Sequence, residues 1–259
     1  MTDEHRNHSR DFVASLEKGL KVLMCFDRKH PKLNLSEVSQ LTGYTPATAR
    51  RLLLTLESLD FLHTDGKRFW VAPRTLLLAR PYLVSRPTPQ LAQPILDTLA
   101  EHTRQSASLA TLVDDDVLII ARSTGRRTLS TGLGIGSRLP AYCSSLGRAL
   151  LSQKSAEHVM HYLQNVTFEA WAPKTAGTPQ AAYEEIRLCR ERGWAACNEE
   201  VEVGVRSIAV PIASTSRHSM GAISLSVRAE RMSMESFVAT HLEALQEASD
   251  KLAASKVFE

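Results

Sequence analysis

Residues 34–59, NLSEVSQLTGYTPATARRLLLTLESL, decide how the N-terminal third folds. Asn34 is a helix N-cap residue, and Glu37 stands three positions on, where a capping-box partner belongs. Val38 and Leu41 point one helical face inward, and Gly43 supplies the left-handed residue that ends the helix. Thr45 then caps a second helix, with Pro46 at its first position, where a missing N–H costs nothing. Ala49, Leu52, Leu53 and Leu56 form one apolar stripe, leaving Ala47, Thr48, Arg50 and Arg51 mostly on other faces near the helix start. Two helices joined by a turn of about three or four residues containing Gly make a helix-turn-helix, whose second helix enters a major groove N-terminus first.

Working outward, Phe61–Thr64, Asp65-Gly66 and Lys67–Val71 read as a β-hairpin, because Asp-Gly accepts positive φ. Lys67 and Arg68 place two cations beside that turn, where a wing touches a phosphate backbone. Upstream, Val13, Leu16, Leu20, Leu23 and Met24 recur at three- and four-residue steps, an amphipathic helix stopped by His30-Pro31. Residues 1–86 carry a net charge of +5 and residues 87–259 a net charge of −2, so the basic part coincides with the winged pattern. A dimerisation module with solvated Arg50 and Arg51 is the other reading of these residues.

Residues 73–104 form a connector, helical from Pro73 to Ser85, broken by Pro81, Pro87 and Pro89, and helical again from about Gln90 to Thr103. Beyond it the period changes. Two apolar runs, 107–113 and 117–122, flank Asp114-Asp115-Asp116, which read as an acidic hairpin turn rather than a metal site. Residues 127–133 look like another strand. Helices follow at about 144–152, 155–165 and 180–192, strands near 195, 207–213 and 221–228, and a last helix over 234–254. The whole is α+β, with a winged helix-turn-helix over 1–72, linker helices over 73–104 and a mostly antiparallel sensor-sized domain over 105–259.

Several chemistries lack their motifs. Gly132-Leu133-Gly134-Ile135-Gly136 misses the spacing of a dinucleotide fingerprint, and there is no Walker lysine, nucleophile elbow or H-E-x-x-H. His158 and His161 sit on a polar helix and face solvent. Cys143, ahead of a helix N-terminus, is a thiol of lowered pKa or an inert one, and no histidine is tied to it. Four scattered cysteines without a C-x-x-C suit a reducing cytosol. No apolar run approaches the roughly 18–20 residues of a membrane span, and residues 1–11 hold no apolar signal core. A cytoplasmic protein without metal or cofactor is the expectation.

Longer stretches carry a resemblance. SLEKGLKVLMCF (15–26), TPATARRLLLTLESL (45–59) and FWVAPRTLLLA (69–79) resemble the DNA-binding half of IclR-type transcriptional regulators. GSRLPAYCSSLGRALL (136–151) and EVEVGVRSIAVPI (200–212) resemble the branch of that family that controls aromatic-acid catabolism through protocatechuate and 4-hydroxybenzoate genes. The likeness covers about residues 15–250. Asp60 departs from it, standing where a glycine usually ends the recognition helix.

The resemblance implies a winged helix-turn-helix, a dimerising linker helix and a GAF-like effector domain, in dimers that often form tetramers on operator DNA. It places Thr48 and Arg51 on the reading face; position alone puts Thr45, Arg50, Lys67 and Arg68 against the DNA backbone, with Ala47 beside them on the helix start. It lines an effector pocket with Tyr142, Cys143 and Ser144, then Glu200, Arg206 and Ser207, then Ser224 and Ser226, which strand alternation puts on one face. Arg206 is a carboxylate clamp or a structural partner of Glu200 or Glu202. The expected function is an effector-responsive DNA-binding regulator, with a small-molecule-binding enzyme or a sensor scaffold without DNA as alternatives.

Overall fold

The computed structural model describes residues 11–27, 29–85, 87–114, 116–124, 133–213, 220–255 and 258. The chain divides into two compact units, 1–85 and 86–259.

The first unit runs α1 (Ala14–Met24), β1 (Leu33–Asn34), α2 (Leu35–Thr42), α3 (Pro46–Ser58), β2 (Leu62–Thr64), β3 (Arg68–Val71), a 3-10 turn (Pro73–Thr75) and α4 (Leu76–Ser85). Asn34 closes a full capping box with Glu37, and Gly43 ends α2 at φ 70°. Thr45 caps α3 by accepting from the Thr48 amide, with Pro46 in the first turn. The three strands pair in the order β1-β3-β2, all antiparallel. Val22, Val38, Ala49, Leu53, Leu56 and Leu62 make the core, so three helices close over a winged sheet. Asp60 sits at φ 60°, doing the work of the glycine it replaces.

Two expectations need correcting here. α1 is the helix expected, but of its apolar row only Leu23 packs against the core, Val13, Leu16, Leu20 and Met24 being exposed at 46–65%, and the one buried residue, Val22, stands outside that row. A unit this small has one core, and Val22 already fills it from α1. Pro81 does not end α4, which runs through it to Ser85; one lost i→i−4 bond is tolerated when the neighbouring turns persist. Pro87 falls at the first position of the next helix, where a proline costs no hydrogen bond.

The second unit runs α5 (Pro87–Thr103), β4 (Ser106–Val113), β5 (Asp116–Thr124), β6 (Arg138–Pro140), α6 (Ser145–Leu151), α7 (Ala156–Asn165), α8 (Pro179–Arg192), β7 (Ala195–Asn198), β8 (Val205–Ile212), β9 (Gly221–Arg228) and α9 (Met234–Ala254). Its strands form one antiparallel sheet in the order β6-β5-β4-β9-β8-β7. The strand expected over 127–133 falls almost wholly outside the described residues, and β6 was not foreseen.

Alternation splits the sheet cleanly. Leu109, Ile208, Val210, Ile223, Leu225 and Val227 pack against α5 and α9. Ala110, Ala209, Ala222 and Ala195 face α6, with α8 behind α6 and α7 against α8. Residues on the first face are large and aliphatic, and those on the second are small. Among the described residues no helix is long and apolar enough to cross a membrane.

Candidate functional site

On the first unit, α3 presents its N-terminal half outward. Thr45, Ala47, Arg50 and Arg51 are exposed and Thr48 is half-buried. The Thr45 hydroxyl bonds Thr48 through both its amide, at 3.3 Å, and its hydroxyl, at 3.0 Å. Those two threonines therefore fix the helix start, and Arg50 and Arg51 lie exposed beyond it. The hairpin turn is held by Asp65, whose carboxylate accepts from the Lys67 and Arg68 amides at 2.9 and 2.8 Å. The Arg68 amide first, then that of Lys67, holds the Asp65 carboxyl below its usual range. Lys67 and Arg68 are exposed on this wing. The structure adds Lys32, whose ammonium lies 4.3 Å from the Trp70 ring centroid. Lys32 and Arg68 line an open groove next to the wing, together with Trp70. A lysine beside the Pro31 helix stop carried no sequence signal for this position.

On the second unit, the small face of the sheet carries a field of serines. Register aligns Ser106 of β4 with Ser226 of β9, and Ser226 with Ser207 of β8. One row along, Ser108 lies opposite Ser224 and opposite Arg122 of β5. Ser106, Ser108 and Ser224 are buried. The Arg122 guanidinium donates to Ser108 Oγ at 2.5 Å. Across the face, Ser207 Oγ and Ser145 Oγ of α6 are 2.7 Å apart. Ser106 Oγ is buried and has no hydrogen-bond partner among the described residues, an uncommon state for a buried hydroxyl. Ser106, Ser108, Arg122 and Ser145 were missed by the sequence reading, although the S-A-S-L alternation at 106–109 held the signal.

Other expected residues are occupied in the framework. Tyr142 Oη bonds the Glu169 backbone, at 2.9 Å to its carbonyl and 3.0 Å to its amide. Ser144 caps α6 and donates to the Pro140 carbonyl at 2.7 Å. Cys143 is fully buried, and burial, then Cys197, pushes its thiol up to about 12. This is opposite to an activated nucleophile. Cys189 and Cys197 are buried as well. A thiol titration with an aromatic disulfide reagent should leave Cys143, Cys189 and Cys197 unmodified until denaturant is added. Prompt modification of Cys143 in the native protein would contradict this burial.

Glu200 does not reach the serine field as a free carboxylate. It grips Arg148 of α6 with two bonds of 2.9 and 2.6 Å, and Arg148 also donates to the Ala196 carbonyl at 2.6 Å. Arg148 is 1% exposed. Burial alone would lower its pKa, and Glu200 more than offsets this, so the guanidinium keeps its charge. Arg206 is turned to the other face. It neighbours Ser207 on β8, so alternation carries its side chain toward α9. There it donates to Asn198 Oδ1 at 2.8 Å, to the Ala229 carbonyl at 2.7 Å and to the Met232 carbonyl, with Glu199 at 3.7 Å. The structural reading of Arg206 is the one its contacts support, with Glu199 as the acid in place of Glu200 or Glu202.

Residues 15–66 match the IclR helix-turn-helix domain, and residues 81–254 match the bacterial transcriptional regulator IclR C-terminal domain. The chain belongs to the IclR family of bacterial transcriptional regulators. It is 37% identical over 223 residues to the Pca regulon regulatory protein of Pseudomonas putida, covering 86% of this chain and 77% of that protein. It is 29% identical to the p-hydroxybenzoate hydroxylase transcriptional activator of Acinetobacter baylyi, covering 94% and 92%. The crystal structure of an IclR homolog from Microbacterium hydrocarbonoxydans, complexed with 4-hydroxybenzoate, superposes with a TM-score of 0.74 at 22% identity, covering 93% and 98%. These IclR relatives are regulators, and this chain is a DNA-binding transcriptional regulator, not an enzyme. Its two units are thus the family's reading head and effector domain, and the sheet is the antiparallel one expected.

Proposed function

We propose that this regulator controls genes for the breakdown of aromatic compounds in response to a small aromatic carboxylic acid bound on the serine face under α6. The names of the two relatives support the aromatic assignment. The observation that carries the location is the buried Ser106 hydroxyl, without a hydrogen-bond partner among the described residues, beside four further serines on one face of the sheet. Thr45, Ala47, Thr48, Arg50 and Arg51 meet the operator's major groove, and Lys67 and Arg68 meet its backbone from the wing. Residues 1–72 read DNA, 73–104 link, and 105–259 hold the effector. The exposed apolar rows of α1 and of α4 (Leu76, Leu77, Tyr82 and Val84) give a homodimer its contact, and tetramers can assemble on operator DNA. The protein works in the cytoplasm, where operator and effector are both found. The effector acts by population shift, stabilising one arrangement of the two winged heads over another.

Replacing Arg51 with Ala should weaken binding to a selected operator by about 1–3 kcal/mol while changing random-sequence binding little, because arginine reads guanine through two hydrogen bonds. Fluorescence anisotropy on both duplexes measures it. An equal loss on the two would reduce Arg51 to a phosphate contact.

A further inference from the structure

Lys32 stands just ahead of β1 and α2, and α2 is the first helix of the helix-turn-helix. In that motif the first helix crosses the DNA backbone while the second reads the groove. β1 also pairs with β3 of the wing, Asn34 lying opposite Arg68 and Leu33 opposite Phe69. Lys32 thus stands at the junction of two elements that each approach the phosphates. We propose that Lys32, seated on the Trp70 ring beside Arg68, holds a phosphate of the operator backbone and anchors the reading head independently of sequence. This inference rests on the placement of the wing at the DNA backbone above and extends that contact to a strand outside the hairpin.

Alternation puts Arg68 and Trp70 on one face of β3, opposite to Phe69, which packs on the core. Lys32 is exposed, and its ammonium lies 4.3 Å from the Trp70 ring centroid. Arg68 Nη1 lies 3.5 Å from the Lys32 carbonyl, so the two cations share one edge of the open groove. An ammonium over an indole face is attracted by the ring while its other side stays open to an anion. The ring also confines a side chain that otherwise samples many rotamers, which leaves less ordering to be done on binding.

The carboxylates nearby are turned to the chain's own N–H groups. Glu37 accepts from the Asn34 amide at 2.7 Å, and Asp27 from the His30 amide at 2.7 Å. Asp65 accepts from the Lys67 and Arg68 amides. Asp65 feels the charge of Lys32, which sets the lysine near the wing turn. Among the described residues, however, Lys32, Lys67 and Arg68 form no ion pair. Three cations on one edge match a phosphate backbone, to which lysine contributes as a point charge. They would match an acidic protein segment too; continuity with the wing turn and with the start of α2 is what favours DNA.

Fluorescence anisotropy of the full-length protein over a salt series, on a selected operator and on random-sequence duplex, tests this with Lys32→Ala, Lys32→Arg, Trp70→Leu and Lys67→Ala. Lys32→Ala should weaken both duplexes alike, by about 3- to 10-fold near physiological salt. It should also make the slope of log affinity against log salt shallower by about 0.9, the share of one phosphate. Lys32→Arg keeps the charge and should keep the wild-type slope. Trp70→Leu should keep that slope and lose about two- to fivefold in affinity, the share of an exposed cation–ring contact. If Trp70→Leu does not fold, the two variants of exposed Lys32 decide the matter. A wild-type slope in Lys32→Ala beside a shallower one in Lys67→Ala would overturn the Lys32 contact and leave the wing on the DNA. Wild-type slopes in both would overturn the wing placement as well. A wild-type slope in Lys32→Ala together with lost regulation of transcription in a purified system would overturn the phosphate contact and assign the groove to an acidic protein segment.

Discussion

Replacing Glu200 with Ala should lower the stability of the effector unit by about 3–5 kcal/mol, the usual cost of stranding one member of a buried ion pair. Arg148 is 1% exposed and stands on α6, whose seven residues are all buried, so its guanidinium cannot turn out to water. Glu200 supplies both carboxylate oxygens to it, and one of those oxygens also receives the Asn198 amide at 3.3 Å. Removing the carboxylate leaves the buried cation with the Ala196 carbonyl and, at 3.9 Å, the half-exposed Glu185. A unit of this size loses roughly 2–4 °C of melting temperature per kcal/mol, so differential scanning calorimetry should show a fall on the order of 10 °C. The paired replacement Arg148→Met with Glu200→Leu should recover most of it, since an apolar pair of similar volume often matches a buried ion pair. A double variant as unstable as Glu200→Ala would mean that the loss came from packing and not from the stranded charge.

The second large effect belongs to Gly147. A Cβ built there would lie 2.2 Å from the Ala141 carbonyl oxygen and 2.3 Å from the Ala141 Cα. Both are backbone atoms of the segment that leads into α6, which the Ser144 cap and the Tyr142–Glu169 bonds hold in place. Neither atom can swing away as a side-chain tip would. Gly147→Ala should cost about 3 kcal/mol or more, at the upper end of overpacking penalties, despite alanine's better helix propensity. Because α6 covers the serine face, effector binding should fall with it. Denaturant unfolding monitored by circular dichroism measures the first effect and calorimetry the second. A Gly147→Ala variant of wild-type stability would contradict this close approach.

Local chemistry made the reading head legible. The Asn34–Glu37 capping box, Gly43, Thr45-Pro46 and Asp65-Gly66 each impose a backbone conformation, and each was realised. The same holds for β9 and α9, whose bounds at 221–228 and 234–254 follow from clean alternation and from a long 3.6-residue period. What was not legible depends on partners distant in sequence. Arg206 and Ser207 differ by one position, so only the strand's facing told clamp from brace, and the facing is set by β9 and α9. Arg148 sits in GRALL, a run that reads as an ordinary amphipathic turn until Glu200, 52 residues later, arrives beneath it. The α1 row misled for a related reason: periodicity reports an apolar face without naming what covers it.

The central claim is that one chain binds DNA through the winged head and hears an aromatic acid through the serine face. Anisotropy on an operator selected by the protein from random-sequence DNA, titrated over a salt series with and without 4-hydroxybenzoate and protocatechuate, tests both halves together. The account predicts a log affinity that falls linearly with log salt. It predicts binding at least about 10³-fold tighter to the operator than to random DNA, and an operator affinity that one acid shifts by about fivefold or more. Equal affinity for operator and random DNA, unmoved by either acid, would contradict it.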